Sequence, residues 1–330
     1  MRITWALLQI LLYLPPRSGA SASKPTAFHE IRLKFPARDW RSLANTELTA
    51  LRNELDRIDE AIIALMRQRI EVVEHVAQAK RDRDLARLAM RPAREAIIMR
   101  KLADRADEKL PAGSLIRIWR ELLAVTTRMQ TPYSVVVCVK QEQPWLWDLA
   151  RDHFGTETPI QRADTPLQAL RMVTGQTADV VVLPRPTEDD AWWHTLAGSQ
   201  PDAPKVVARL PFCNHQGYPD NATAYVAARL EHEPSGDDLT LIAVEAEAEL
   251  SRARLREALE SAELEPNWLA TVRSDPDAAD HLLEIKGFVD HREPRVSNAL
   301  SSLRGSIRRV VSLGGYARTL AMRDENADGG

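Results

Sequence analysis

Residues 48–80 read LTALRNELDRIDEAIIALMRQRIEVVEHVAQAK, a stretch without proline or glycine. Apolar side chains recur in it at steps of three and four residues, which is the period of one face of an α-helix. This seam comprises Leu51, Leu55, Ile58, Ile62, Leu65, Val72 and Val76. The pattern predicts a single helix over residues 45–80, about 50 Å long at the α-helical rise. A helix of that length exceeds one small globular domain, so we expect it to pack along a partner.

Two cations interrupt the apolar seam. Arg69 occupies the slot between Leu65 and Val72. Lys80 occupies the slot that follows Val76. A cation on an apolar face is costly unless it meets an anion, which indicates a binding site for a negatively charged group. The alternative is that both long side chains extend to water at the edge of a core.

Two further amphipathic helices follow. Pro92 suits the first turn of the second helix, and Pro111 and Gly113 separate it from the third. One face of the second helix carries Arg91, Glu95, Ile98, Leu102 and Ala106. One face of the third carries Ile116, Trp119, Leu123, Thr126 and Gln130. Polar residues thus stand at apolar positions of all three helices, a repeated violation typical of functional sites. The structural alternatives are that Glu95 complements a helix N-terminus and that Gln130 is a solvated helix end.

The inward-facing groups are mostly cationic, with one acid and one amide. They are Arg69, Lys80, Glu95 and Gln130, with Arg52 nearer the N-terminus of the first helix. The set contains no histidine and no nucleophile paired with a base. A pocket with this composition suits a small dianion or dicarboxylate.

These residues stand in a pattern that resembles the all-helical class of chorismate mutases. The matching residues are Leu51-Arg52, Asp59, Arg69, Val76-Ala77-Gln78-Ala79-Lys80, Arg91-Pro92-Ala93-Arg94-Glu95, Ile118-Trp119-Arg120-Glu121 and Gln130. The resemblance implies an all-α three-helix module that forms an intertwined dimer and converts chorismate to prephenate. It also implies that no cofactor takes part. The sequence contains no CxxC, no HExxH and no cluster of His and Cys, so no metal is expected either.

The resemblance implies a role for each matching side chain. Lys80 would bridge a substrate carboxylate and the ether oxygen, Gln130 would donate a hydrogen bond to that oxygen, and Glu95 would accept one from the ring hydroxyl. These three would be catalytic. The substrate-binding residues would be Arg52, Arg69, Arg91, Arg94 and Thr126, of which Arg52 and Arg69 would hold the carboxylates. Arg91 stands where the family commonly has an aspartate.

The spacing of two arginines predicts a shared site. Arg52 precedes Arg69 by 17 residues, which is about 25 Å along one straight helix. Both side chains cannot hold one small ligand from the same chain. If both act, Arg52 comes from a two-fold related partner, so we expect a homodimer with shared active sites.

Alternating strand and helix patterns follow residue 132. Strands are predicted at residues 134–139 and 178–183, and helices at residues 145–153 and 166–173. This order indicates an α/β unit with a largely parallel sheet, and we expect residues 132–236 to be periplasmic-binding-like. Trp192 and Trp193 are expected to pack under a loop.

A short segment in this region resembles a second family. Residues 221–226, Asn-Ala-Thr-Ala-Tyr-Val, are similar to the prephenate dehydratase signature, in which an arginine stands at the position of Ala224. The family's glycine-rich opening and its Glu-Asn-Ser segment have no counterpart here. The resemblance therefore implies a degenerate dehydratase-like domain with Thr223 as a catalytic remnant. The alternative is a plain strand start.

From residue 239 the element order resembles an ACT regulatory domain with one strand unassigned. Strands are predicted at residues 239–244, 281–290 and 307–313, and helices at residues 251–261 and 295–304. Leu313-Gly314-Gly315-Tyr316 matches the usual ending of that family. The resemblance implies an α+β, ferredoxin-like domain and an amino-acid effector. The family's phenylalanine-binding words, Gly-Ala-Leu and Glu-Ser-Arg-Pro, are missing.

Composition bounds the partners and the compartment. A formal net charge of −3 gives no reason to expect nucleic acid or an anionic membrane as a partner. Two cysteines, Cys138 and Cys213, suit buried thiols in a reducing compartment and hence a cytoplasmic protein. The alternative is export, since a basic start, an apolar run and small residues within residues 1–22 are typical of a signal peptide.

Together, the three resemblances imply a multidomain isomerase. The expected segments are a leader or linker at residues 1–43, a chorismate mutase domain at 44–131, a dehydratase-like domain at 132–236, an ACT-like domain at 237–320 and a tail at 321–330. Three alternative functions stay open: a bifunctional mutase and dehydratase, an isochorismate pyruvate lyase, and a non-catalytic regulatory protein.

Overall fold

Three helices begin the part of the chain that a computed structural model describes, which is residues 45–81, 88–198, 203–213, 218–219, 221–289, 294–303 and 305–320. The chain divides into two compact units, residues 1–65 and 66–330. The predicted leader at residues 1–43 and the tail at 321–330 lie outside the described residues. Among the described helices, none combines the length and the apolar character needed to cross a membrane.

The first helix, α1, spans Asn45–Arg81, as the apolar period predicted. Its 37 residues extend about 55 Å. Much of its apolar seam is exposed in the single chain: Leu55, Ile62, Leu65, Val72 and Val76 each expose more than two fifths of their surface. Apolar residues in a continuous row along a helix normally face a partner.

The second and third helices begin near the prolines that mark them in the sequence, but the second helix ends before Ala106, which was expected on its face. Helix α2 spans Pro92–Ala103 and has proline in its first turn, where the missing N–H would have no helical acceptor. Helix α3 spans Ala112–Gln130. The two helices share an apolar cluster that includes Met99, Leu102, Ile116 and Leu123.

The next segment builds a three-stranded parallel sheet between two helices. Its elements are β1 (Val135–Cys138), α4 (Trp145–Phe154), β2 (Ile160–Ala163), α5 (Pro166–Thr174) and β3 (Val180–Pro184). Strand β1 pairs in parallel with both β2 and β3. Successive side chains of β1 enter opposite cores, since Val136 packs with Leu170 of α5 and Val137 with Leu146 of α4.

The expectation of a largely parallel sheet is wrong beyond these three strands. A short helix, α6 (Trp193–Leu196), precedes β4 (Lys205–Leu210), and β5 (Ala224–Ala228) inserts between β3 and β4, antiparallel to both. A parallel neighbour needs a crossover connection, usually a helix, and no helix lies among the described residues between β4 and β5. Trp192 and Trp193 are buried, but Trp193 begins α6 instead of lying under a loop.

The C-terminal segment is a βαββαβ unit. It comprises β6 (Asp238–Glu247), α7 (Arg252–Glu260), β7 (Pro266–Asp275), β8 (Ala278–Lys286), α8 (Pro294–Ser301) and β9 (Ile307–Ala317). The strand that the sequence left unassigned is β7. The strand order β9-β6-β8-β7 places the first and third strands of the unit at its centre, as in a split βαβ arrangement.

One sheet joins the two strand regions. Its order is β2-β1-β3-β5-β4-β9-β6-β8-β7. The joint is the parallel contact of β4 with β9, where Val206 pairs with Gly314. Strands from before and after residue 236, the predicted boundary between two domains, therefore belong to one continuous sheet.

Candidate active site

A cation of α1 meets a hydroxyl of α3. Arg69 is half-buried, and its Nη1 donates to Thr126 Oγ1 at 3.3 Å. Thr126 is buried, and its hydroxyl donates to the backbone oxygen of Leu122 at 2.9 Å. Burial lowers the pKa of Arg69, but a guanidinium keeps its charge at neutral pH. The sequence placed Arg69 and Thr126 in one site, and the structure brings them together.

Gln130 lies one helical turn beyond Thr126. It is half-buried at the C-terminal end of α3, and its Nε2 donates to the backbone oxygen of Thr126 at 3.1 Å. Residues four apart on a helix share a face. A cation, a hydroxyl and an amide donor are thus grouped where α1 and α3 meet, an arrangement that fits an anionic oxygen-rich ligand.

A buried ion pair joins α2 to α3. Arg120 Nη1 lies 2.8 Å from Glu95 Oε2, and the two side chains expose 8% and 14% of their surface. The guanidinium carbon of Arg120 also lies 5.8 Å from the ring centre of Phe212. Desolvation lowers the pKa of Arg120, and the charge of Glu95 acts in the opposite direction. Glu95 is therefore engaged by a protein cation before any substrate arrives.

The sequence analysis did not predict Arg120 to be a partner of Glu95, although the structure places the two in contact. The available signal was its position, four residues after Ile116 and three before Leu123, on the apolar face of α3. The same reasoning that singled out Arg69 applies to it, because a cation on a buried face needs an anionic partner.

The remaining predicted residues are dispersed. Arg91 is exposed and forms a salt bridge with Glu233, at 3.0 Å between Nη2 and Oε1, and this pair competes with the predicted contact to substrate. Arg94 is half-buried in the first turn of α2, and Arg52 is exposed on α1. Lys80 belongs to the last turn of α1, and its side chain lies outside the described residues.

The second predicted site has Ala224 where the dehydratase signature has arginine. Thr223 is buried, and Ala224 is completely buried at the start of β5. Ala224 packs within the apolar layer beneath α4. An arginine at this position would need space that the packed layer does not offer. The packing of the core around Ala224 therefore fits the alanine of this chain and not the arginine of the dehydratase signature.

The described residues were also compared with the requirements of a metal site and of a reactive thiol. No cluster of three His, Cys, Asp or Glu residues there has the geometry to hold a metal ion. Cys138 and Cys213 are free and buried. Burial raises the pKa of the Cys138 thiol to about 11, so it is not a nucleophile at neutral pH.

Comparison with known proteins gives a family match for the helical segment and a curated relative for a longer part of the chain. Residues 51–131 match the family model described as Chorismate mutase type II. A curated relative, the bifunctional chorismate mutase/prephenate dehydratase of Neisseria gonorrhoeae (strain ATCC 700825 / FA 1090), is 25% identical over 133 residues. That match covers 40% of this chain and 35% of the relative, so the chain spans about a third of the length of the curated protein it matches.

Solved structures are similar to this chain at low identity. A prephenate dehydratase from Streptococcus mutans shows 14% identity and a TM-score of 0.38, covering 57% of this chain and 98% of that one. A prephenate dehydratase from Arthrobacter aurescens in complex with L-Phe shows 13% identity and a TM-score of 0.41, covering 56% and 90%. GqqA, a quorum quenching acylase, shows 16% identity and a TM-score of 0.40, covering 56% and 95%.

The fold and the family model agree on the helical segment. Helices α2 and α3 and most of α1 fall within the matched residues, as do Arg69, Thr126 and Gln130. Residues 51–131 of this chain constitute a chorismate mutase type II domain, to which a mixed α/β region is fused.

Proposed function

We propose that the chain is a chorismate mutase that converts chorismate to prephenate. The observation that carries the proposal is the meeting of Arg69, Thr126 and Gln130 inside the segment that matches the family. In this proposal Arg69 binds a substrate carboxylate. Gln130 and Lys80 act at the ether oxygen, and Glu95 accepts a hydrogen bond from the ring hydroxyl. Thr126 orients Arg69, while Arg94 adds positive charge.

The proposed reaction suits a pocket without a base or a nucleophile. The rearrangement breaks one carbon–oxygen bond and forms one carbon–carbon bond within the same molecule, and no proton is transferred. Holding the substrate in a compact conformer can supply up to about 7–11 kcal/mol of the barrier. A fixed donor at the oxygen that gains negative charge adds roughly 3–4 kcal/mol, by analogy with oxyanion holes.

The test is a two-stage assay on the purified full chain. We expect the absorbance of chorismate to fall, and phenylpyruvate to appear only after acid treatment converts the accumulated prephenate. Phenylpyruvate before acid treatment would mean that the α/β region is an active dehydratase despite Ala224. Pyruvate released from isochorismate would favour a lyase. An unchanged absorbance with both substrates would leave a regulatory role and overturn the proposal.

We also propose a homodimer with shared sites, which is supported by the exposed apolar row on α1. Leu55, Ile62, Leu65, Val72 and Val76 expose more than two fifths of their surface in one chain. A second copy would bury them and bring its Arg52 near the Arg69 site. Burying apolar surface is worth about 25 cal/mol per Å², so a long apolar helix is a strong dimerisation element.

A mixed dimer tests the shared site. Arg52→Ala and Arg69→Ala chains are each expected to lose at least about 10²-fold in kcat/KM, as for the loss of a charged contact to a carboxylate. In an equal mixture that has exchanged subunits, half of the dimers contain one intact site, so about a quarter of the wild-type activity should return. Activity that stays at the level of the separate variants would contradict the shared site.

The segments after the mutase domain are proposed to be a degenerate dehydratase-like domain at residues 132–236 and an ACT-like domain at 237–320. The βαββαβ order of the second segment supports the ACT-like assignment. An aromatic amino acid is the proposed effector there, and a raised midpoint of thermal unfolding in its presence is the test. Two buried free thiols support a reducing, cytoplasmic location.

A further inference from the structure

The ion pair of Glu95 with Arg120 is enclosed by residues from outside the mutase helices. Phe212 and Cys213 follow β4, and both are buried in the apolar cluster of α2 and α3. The backbone oxygen of Phe212 accepts from the N–H of Leu320 at 2.7 Å, which fixes this wall to the C-terminal strand region. The α/β region therefore contributes to the burial of Arg120 through Phe212, whose ring centre lies 5.8 Å from the guanidinium carbon.

A second arginine fastens α2, the helix of Glu95, to the same region. Arg100 donates to the backbone oxygens of Ser235, Asp237 and Arg318 at 3.0, 2.6 and 3.3 Å. Its guanidinium carbon also lies 5.9 Å from the Phe212 ring centre. The helix that carries Glu95 is thus held through Arg100 as well as through Arg120.

We propose that Arg120 is a positioning residue that acts through Glu95, and that the α/β region supports the mutase site by enclosing this pair. The inference rests on the proposed mutase function. Arg120 takes one oxygen of the Glu95 carboxylate, Oε2. A carboxylate offers about four lone-pair sites, so the substrate hydroxyl can be accepted while the pair is kept.

Charge explains why a cation is needed behind Glu95. Chorismate carries two carboxylates, and an uncompensated Glu95 would repel them across a poorly solvated site. Arg120 balances the charge of Glu95, so that the carboxylate is an acceptor for the hydroxyl without adding net negative charge. A buried ion pair gives little net stability compared with apolar residues, so a role at the site accounts better for its presence.

The experiment is a double-mutant cycle on the full chain with chorismate as the substrate. Arg120→Gln is expected to reduce kcat by about 10–100-fold, the usual cost of removing a group that orients a functional residue. In the Glu95→Gln background the same substitution should change kcat less than about twofold, because its target is already absent. Arg120→Lys should recover part of the loss, since it keeps the charge.

Two further variants separate positioning from folding. Arg117→Gln removes an exposed cation of the same helix that pairs with Asp152, and it should leave kcat at the wild-type value. Phe212→Leu keeps the wall apolar but removes the ring beside Arg120, and it should lower kcat in the same direction as Arg120→Gln, by a smaller factor. Circular dichroism and the thermal midpoint establish the folded fraction of each variant.

The outcomes distinguish this inference from the proposed function. If the wild-type chain converts chorismate and Arg120→Gln has the wild-type kcat per folded molecule, the positioning role is wrong and the mutase function stands. Equal losses from Arg120→Gln in the wild-type and the Glu95→Gln backgrounds would assign Arg120 a general structural role and would also overturn the inference. A wild-type chain without chorismate turnover removes both.

Discussion

Gln130→Ala is expected to lower kcat for chorismate by about 10²–10³-fold, the cost of removing one donor to a developing oxyanion. The fold should be unaffected, because Gln130 is the last residue of α3 and its amide contacts the backbone of its own helix, at Thr126. Alanine is also the better helix former. The measurement is the rate of chorismate loss at saturating substrate, with the thermal midpoint recorded in parallel.

The pH dependence of turnover in Gln130→Glu tests whether residue 130 acts as a hydrogen-bond donor. A carboxylate accepts hydrogen bonds but cannot donate one, whereas the protonated acid can. This variant should therefore be inactive at pH 7 and gain activity as the pH falls below about 5, near the ordinary range of a glutamic acid. The wild-type chain, with an amide at this position, should show no such gain.

The control for both variants is Met129→Ala, which changes the exposed neighbour at the end of the same helix. It should retain wild-type turnover. A wild-type kcat in Gln130→Ala would remove Gln130 from the site. Lys80→Ala is expected to act in the same direction, and that expectation depends on the resemblance, because the Lys80 side chain is outside the described residues.

The helical module could be predicted from the sequence because its elements are long and periodic. Helix α1 ends one residue beyond its predicted limit, and α2 and α3 begin next to the prolines that mark them. Both Arg69 and Thr126 stand at apolar positions of their helices, the family resemblance implies that they share one site, and the two side chains are in contact. The partners of the other site residues depend on tertiary contacts that the local pattern does not contain. Arg91, for example, pairs with Glu233, which lies 142 positions further along the chain.

Three strands could not be predicted because their patterns are weak. Strand β2 has only four residues, and two of them, Gln161 and Arg162, are exposed and polar. Strand β4 has no strict alternation. Strand β7 begins with proline and is interrupted by register shifts against β8. Edge and irregular strands are stabilised by their neighbours more than by their own residues, so local propensity gives little signal for them.

Gly314→Ala is expected to lower the free energy of unfolding by at least about 3 kcal/mol, because it combines backbone strain with a steric clash. Gly314 has a φ of +102°, and a Cβ built on it lies 2.2 Å from the backbone oxygen of Val206. Val206 is its partner in the parallel joint between β4 and β9. A backbone carbonyl cannot move aside as a flexible side chain can, so we expect the joint itself to open.

Gly236→Ala is the matched control. Gly236 has a φ of +94° with no heavy atom within 4 Å of its would-be Cβ, so its substitution adds the strain without the clash. It should cost only about 1–2 kcal/mol, and chemical denaturation of both variants measures the difference.

The joint also supports the mutase helices, since Ala317 of β9 packs with α2 and α3 and Arg100 of α2 binds the backbone oxygen of Arg318. We therefore expect Gly314→Ala, and not Gly236→Ala, to lower mutase turnover as well. Equal destabilisation by the two variants would show that the close approach of β4 to β9 contributes nothing beyond the backbone strain.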